Sequence, residues 1–108
     1  MKYYISLPIT NKDEATQRRH ALKIKFKLES KGIKAINPFD LYDELCTIHR
    51  HCRKPKPTYN EIMQEDLAEL SKCQAIVLCE GWTLSKGCDM EYHHAKQLGL
   101  KIIDEKFV

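Results

Sequence analysis

No apolar run in the 108-residue chain approaches the length of a membrane-crossing helix, so a spanning segment is not expected. The apolar start Tyr3 to Ile9 runs into Asn11, Lys12, Asp13 and Glu14 without a cleavage-like stretch, so neither is a secretory leader. The even cysteine framework of a disulfide scaffold is also missing. Cys46, Cys52, Cys73, Cys79 and Cys88 are an odd set, and Cys79 lies inside an apolar run, which fits reduced thiols and predicts a cytoplasmic protein. Aromatics are few, at 8%, but Val, Ile, Leu and Phe recur in short, spaced runs, so the shortage does not signal disorder. There is no internal repeat and no low-complexity tract. A large excess of either sign of charge is missing, with 18 basic against 15 acidic residues and a net charge of +3. Most of that surplus falls in His49 to Lys56, a local patch. A solvated loop is its first reading, an anionic ligand the second and nucleic acid a distant third, because no aromatics interleave with the charges. No nucleic-acid or membrane partner is expected.

What is present, with 43% of residues apolar and 31% charged, suits one compact domain over residues 1–108. Lys2 to Leu7 reads as a strand ended by Pro8, which brings no donor to a ladder. Asp13 to Lys31 reads as a helix with Asn11 and Asp13 as candidate caps and Gly32 as its stop. Ile33 to Asn37 is a second strand, stopped by Pro38. Phe39 to Thr58, with Pro55, Pro57 and a mix of histidines, cysteines and basic residues, reads as a long connecting insert with at most a helical turn. Thr58 caps a helix running to about Lys72, and Ala75 to Cys79 is a buried strand. Gly81 to Lys86 is a turn, Gly87 to Leu98 a helix closed by Gly99, and Lys101 to Phe107 a last strand. This alternation predicts an α/β fold, a mainly parallel four-stranded sheet with helices on both faces. In such sheets ligands sit beyond the carboxyl ends of the strands, so the loops after Leu7, Asn37 and Cys79 are expected to form one site.

Two carboxylates fall on the wrong side of their helices. At about 100° per residue, Ile62, Met63, Leu67 and Leu70 make one apolar stripe and Asp66 lies inside it, while Glu65 and Glu69 face solvent. Cys88, Tyr92, Ala95 and Leu98 make another, with Glu91 between Ala95 and Leu98. An ionised carboxylate in an apolar setting costs several kcal/mol unless it is paired or hydrogen-bonded, so inward acids mark candidate sites. The competing possibility is that Asp66 caps a neighbouring loop and Glu91 pairs with a buried cation or tilts outward. Glu91 also lies in the first turns of its helix, where free N–H groups and the dipole favour an ionised, nucleophilic carboxylate. The same helix start, with Thr83, Ser85, Lys86 and Gly87, offers hydroxyls, an ammonium and N–H groups to an anion such as phosphate.

YISLPIT at Tyr4 to Thr10, INP at Ile36 to Pro38, the Met63 to Leu67 stretch and GWTLSKGCDMEYHHAKQLG at Gly81 to Gly99 together resemble a known group. It is a small bacterial and phage family of unassigned function, related to nucleoside 2-deoxyribosyltransferases and 2-deoxynucleoside 5-phosphate N-hydrolases. The resemblance implies a flavodoxin-like (Rossmann-like) domain and cleavage of an N-glycosidic bond without a cofactor. It implies a nucleoside or nucleotide as the small-molecule partner. By motif position, Glu91 resembles the nucleophile that attacks the anomeric carbon to form a glycosyl-enzyme. Asp66 resembles the aspartate that assists at the base or sugar, and Tyr4 the tyrosine that orients the nucleophile. Ser85 and Gly87, with Lys86, resemble the phosphate-binding turn. Pro8 and Ile9 stand in the first loop, where the chain has Leu7 and Pro8 in place of the hydrolases' Gly-Ser. Trp82 is placed at the site mouth, to stack on a ring or to cover the sheet edge. A nucleophile on one side of an oxocarbenium-like sugar with an acid near the leaving base is the retaining-glycosidase arrangement. The alternative is a nucleotide-binding module on the same fold without turnover.

Cys46, His49, His51 and Cys52 cluster in sequence but match no standard zinc spacing, so no metal is expected there. His94 lies beside the apolar stripe and His93 off it, which suits a surface or interface role. The first helix carries apolar residues on two sides, Ala21, Ile24 and Leu28 on one and Ala15, Leu22 and Phe26 on the other. One side serves the sheet; the other predicts a homo-oligomer through this helix, a broad core stripe being the competing account. Light scattering coupled to size exclusion at micromolar concentration should then return a multiple of the chain mass, and the monomer mass alone would remove the oligomer.

Overall fold

A computed structural model describes residues 1–108. Four strands, β1 (Lys2–Ser6), β2 (Lys34–Ile36), β3 (Ala75–Leu78) and β4 (Lys101–Asp104), form one all-parallel sheet in the order β2-β1-β3-β4. The fold is α/β and flavodoxin- or Rossmann-like. β1 and β3 occupy the centre, in a register that pairs Tyr3 with Ala75 and Ser6 with Leu78. Every residue of β3 is buried, as expected of a strand covered on both faces.

Alternation along β1 divides the core. Ile5 and, just beyond the strand, Leu7 join Val77 and Cys79 under α1 (Glu14–Glu29), whose Ala21, Ile24 and Leu28 face the sheet. Tyr4 turns to the other face, among Ile76, Leu78, Leu70 and Ala95 beneath α3 (Tyr59–Leu70) and α4 (Lys86–Gln97). Leu22 and Phe26, on the second apolar side of α1, are 43% and 67% exposed.

The segment expected as a long insert is a helix, α2 (Pro38–His51). Pro38 ends β2, but it also occupies the first helical turn, where a missing N–H costs nothing, and the Asn37 side chain accepts from the Phe39 N–H at 2.9 Å. Pro55 and Pro57 lie beyond the helix and do not interrupt it. Arg18 of α1 fastens α2 in place: two guanidinium nitrogens donate to Asp43 at 2.9 Å each, and the group stacks over Phe39, 4.7 Å from the ring centre. The last strand is shorter than expected. Asp104 accepts from the Lys106 N–H at 3.0 Å and turns the chain into a 3-10 turn, Glu105–Phe107. A second such turn, Trp82–Leu84, occupies the expected Gly81 to Lys86 turn, entered through Gly81 at φ 85°.

α3 opens with a reciprocal cap. The Thr58 hydroxyl accepts from the Glu61 N–H at 3.2 Å and the Glu61 carboxylate accepts from the Thr58 N–H at 3.0 Å. Thr58→Ala should cost about 1 kcal/mol and lower Tm by about 4 °C in a thermal melt, whereas an unchanged Tm would show that the cap carries no weight.

Candidate functional site

The winding of the sheet reverses between β1 and β3, and the candidate site lies beyond the carboxyl ends of these strands. A cavity of about 280 Å³ opens there. The segment after β1 supplies Leu7, Ile9 and Thr10; α2 supplies Pro38, Phe39 and Tyr42; α3 supplies Tyr59, Ile62, Met63 and Asp66; and the start of α4 supplies Gly87, Cys88 and Glu91, with its cap Ser85. The three loops expected to meet do meet.

Glu91 is 5% exposed and held by two hydroxyls of β1. The Tyr4 phenol donates to Oε2 at 2.6 Å and the Ser6 hydroxyl to Oε1 at 2.8 Å, so each carboxylate oxygen has its own donor. Tyr4 and Ser6 are two apart on a strand, which places both on the face that α4 covers. Asp66, 7% exposed, reaches the same place from α3. The inward positions of both acids on their helical wheels are therefore real.

Burial shifts the titration of both acids. Burial pushes the Glu91 carboxyl up to about 7, against the pull of the Tyr4 and Ser6 hydrogen bonds. Desolvation outweighs the favourable helix start. Burial pushes Asp66 up to about 8, with the adjacent Glu91 charge acting in the same direction. Tyr4, wholly buried and beside two acids, is raised well above the usual phenol value and stays a donor. With two donors on Glu91, the proton shared by the pair at neutral pH rests on Asp66.

Of the sequence-derived residues, Tyr4, Asp66 and Glu91 converge, and Ile9, Ser85 and Gly87 line their cavity. Pro8 and Lys86 line a shallower cleft that adjoins it through Thr10, Tyr59, Ser85 and Gly87, and that also contains Lys12. Trp82 stands outside the cavity: its ring packs on Tyr92 with centroids 4.8 Å apart and lines a groove beside β4, the sheet-edge position. Ser6 was not among the sequence candidates, although a hydroxyl two residues from Tyr4 in a central apolar strand was the available signal. Phe39 and Tyr42 belong to α2, where the sequence pattern predicts a loop. Cys46, His49, His51 and Cys52 do not converge on one point. His49 Nδ1 meets the Pro55 carbonyl at 3.0 Å and Nε2 meets Glu61 at 3.4 Å, while His51 and Cys52 are exposed. His94 contacts the Ser71 hydroxyl at 2.9 Å between α4 and the end of α3, and exposed His93 lies 3.4 Å from Asp89.

A carboxyl raised on folding binds its proton more tightly in the folded than in the unfolded chain, so stability falls as pH rises from about 4 through about 8. The carboxyls lowered on folding, Asp13, Asp43 and Glu61, act in the opposite direction, and only at the acid end of that range. Glu91→Gln or Asp66→Asn should therefore stabilise the chain by on the order of 2 kcal/mol more at pH 8 than at pH 4. Denaturant titrations at the two pH values check this, and an advantage that is equal at both would contradict the raised carboxyls.

No curated protein is significantly similar to the chain. Residues 1–104 match the profile of a domain of unknown function, DUF4406, and the chain belongs to that family.

Proposed function

We propose that the chain is an enzyme acting on the N-glycosidic bond of a nucleoside or nucleotide, by hydrolysis or by deoxyribosyl transfer. The observation that carries this reading is the pairing of a buried carboxylate, gripped by Tyr4 and Ser6, with a second buried acid at one cavity. Glu91, ionised, attacks the anomeric carbon while the carbon–nitrogen bond breaks and its electron pair leaves with the base. Asp66 gives its proton to the departing base. Water or a second base then takes the glycosyl group from Glu91, and the proton released at that step returns to the carboxyl pair. Tyr4 and Ser6 fix the nucleophile. Tyr42 and Tyr59, with Phe39 behind them, give the cavity an aromatic lining suited to a base. The adjoining cleft, with Lys12, Lys86 and the Ser85–Gly87 turn, suits a 5-phosphate.

A second reading, a nucleotide-binding module without turnover, draws support from the same burial, which raises the Glu91 carboxyl and so opposes the ionised nucleophile. A panel of deoxy- and ribonucleosides and their 5-phosphates separates the two. Free base should appear with at least one member, and Glu91→Gln should slow its release about a thousandfold or more. Asp66→Asn should cost about a hundredfold. Because Glu91 must be ionised and Asp66 protonated, the rate should peak between about 7 and about 8. Base release undiminished in Glu91→Gln would sink the mechanism. Thermal stabilisation by a nucleotide without base release would select the second reading.

A further inference from the structure

Away from that cavity, three side chains from distant parts of the chain meet. They are His20 in α1, Cys79 directly after β3, and Glu105 directly after β4. One ligand-capable atom from each lies within 4.8 Å of the others, and His20 Nε2 contacts Glu105 Oε2 directly. The other Glu105 oxygen accepts from the Glu80 N–H at 3.0 Å, which orients the carboxylate. Cys79 is fully buried among the residues under α1, the opposite side of the sheet from Tyr4. His20 and Glu105 border an open cleft whose other walls are Thr16, Arg19, Lys23, Lys27 and Lys106. None of these residues lines the Glu91 cavity.

We propose that His20, Cys79 and Glu105 bind one zinc-type dication, with a fourth position open to the basic cleft. One sulfur, one nitrogen and one oxygen make a borderline-soft donor set, which suits zinc and its neighbours and not magnesium or calcium, whose ligands are oxygens. Ligand atoms about 2.0–2.3 Å from a tetrahedral ion lie roughly 3.3–3.8 Å apart, so an ion would part His20 from Glu105, replacing their direct contact, and draw in the Cys79 sulfur by small side-chain shifts. The basic rim is compatible with a cation. A dication bound to a thiolate and a carboxylate is formally neutral, and the surrounding ammonium groups then favour an anion as fourth ligand. The competing account is an ion pair between His20 and Glu105 that ties α1 to the end of β4, beside an inert core thiol.

Cobalt(II) titrated into the reduced, chelator-treated full chain tests the site without any activity assay. One equivalent should bind, with a thiolate-to-cobalt charge-transfer band and the strong visible bands of a four-coordinate ion, and zinc should displace it. Cys79→Ser should abolish the charge-transfer band. His20→Ala, at a partly exposed position that leaves the core intact, should weaken binding about tenfold or more. A Cys46→Ser, Cys52→Ser double variant should bind as the parent does. Absence of a charge-transfer band would overturn the proposal in favour of the plain ion pair. So would a band that survives Cys79→Ser, an affinity unchanged in His20→Ala, or a band lost in the Cys46, Cys52 double variant.

Discussion

The buried Glu91 carboxylate under the Tyr4 and Ser6 hydroxyls is the contact on which the arrangement of the chain turns. A carboxyl that is 5% exposed carries a desolvation cost that two short hydrogen bonds offset only in part. Both donors belong to one face of one central strand, so their geometry is fixed by the sheet. α4 must cross that face at the height where Glu91 meets them. The Ser85 cap, which accepts from the Cys88 N–H at 3.3 Å, starts the helix in the right phase for this.

Asp66 makes the site more than a structural oddity. A second acid on the neighbouring helix, also buried, raises the cost of ionising both and leaves the pair holding a proton near neutrality. Two acids that share one proton can divide the labour of nucleophile and proton donor. The cavity depends on a third party, α2, whose Phe39 and Tyr42 close the side away from α4. That helix is held by the forked contact from Arg18 to Asp43 and by the stacking of the same guanidinium on Phe39.

How much of this was legible in the sequence follows from how each feature encodes itself. Asp66 and Glu91 stand out because a helix repeats every 3.6 residues, and an acid in phase with Leu70 or Ala95 is visible without coordinates. The sheet was legible because β1 and β3 are short apolar runs bounded by Pro8 and by the turn after Cys79. α2 was not, because Pro38 signals both a strand stop and a helix start, and the prolines and charges after His51 obscured where the helix ends. For Trp82 the sequence leaves ring stacking and sheet-edge cover undecided, and the structure takes the second, because its packing partner Tyr92 is set by the 3-10 turn, a local geometry that the sequence pattern does not specify. The meeting of His20, Cys79 and Glu105 depends on the parallel order of β3 and β4 and on the height of α1 above them, and no spacing rule expresses that.

Carbon-13 labelling of the aspartate and glutamate side-chain carboxyls, followed by NMR across pH 3 to 10, measures the central claim directly. Signals assigned through Asp66→Asn and Glu91→Gln should show the pair titrating in two coupled steps near about 7 and about 8, far above the exposed carboxylates. If both carboxyls ionise near 4 with the rest, neither is desolvated in solution as described, and the division of roles between Glu91 and Asp66 is contradicted.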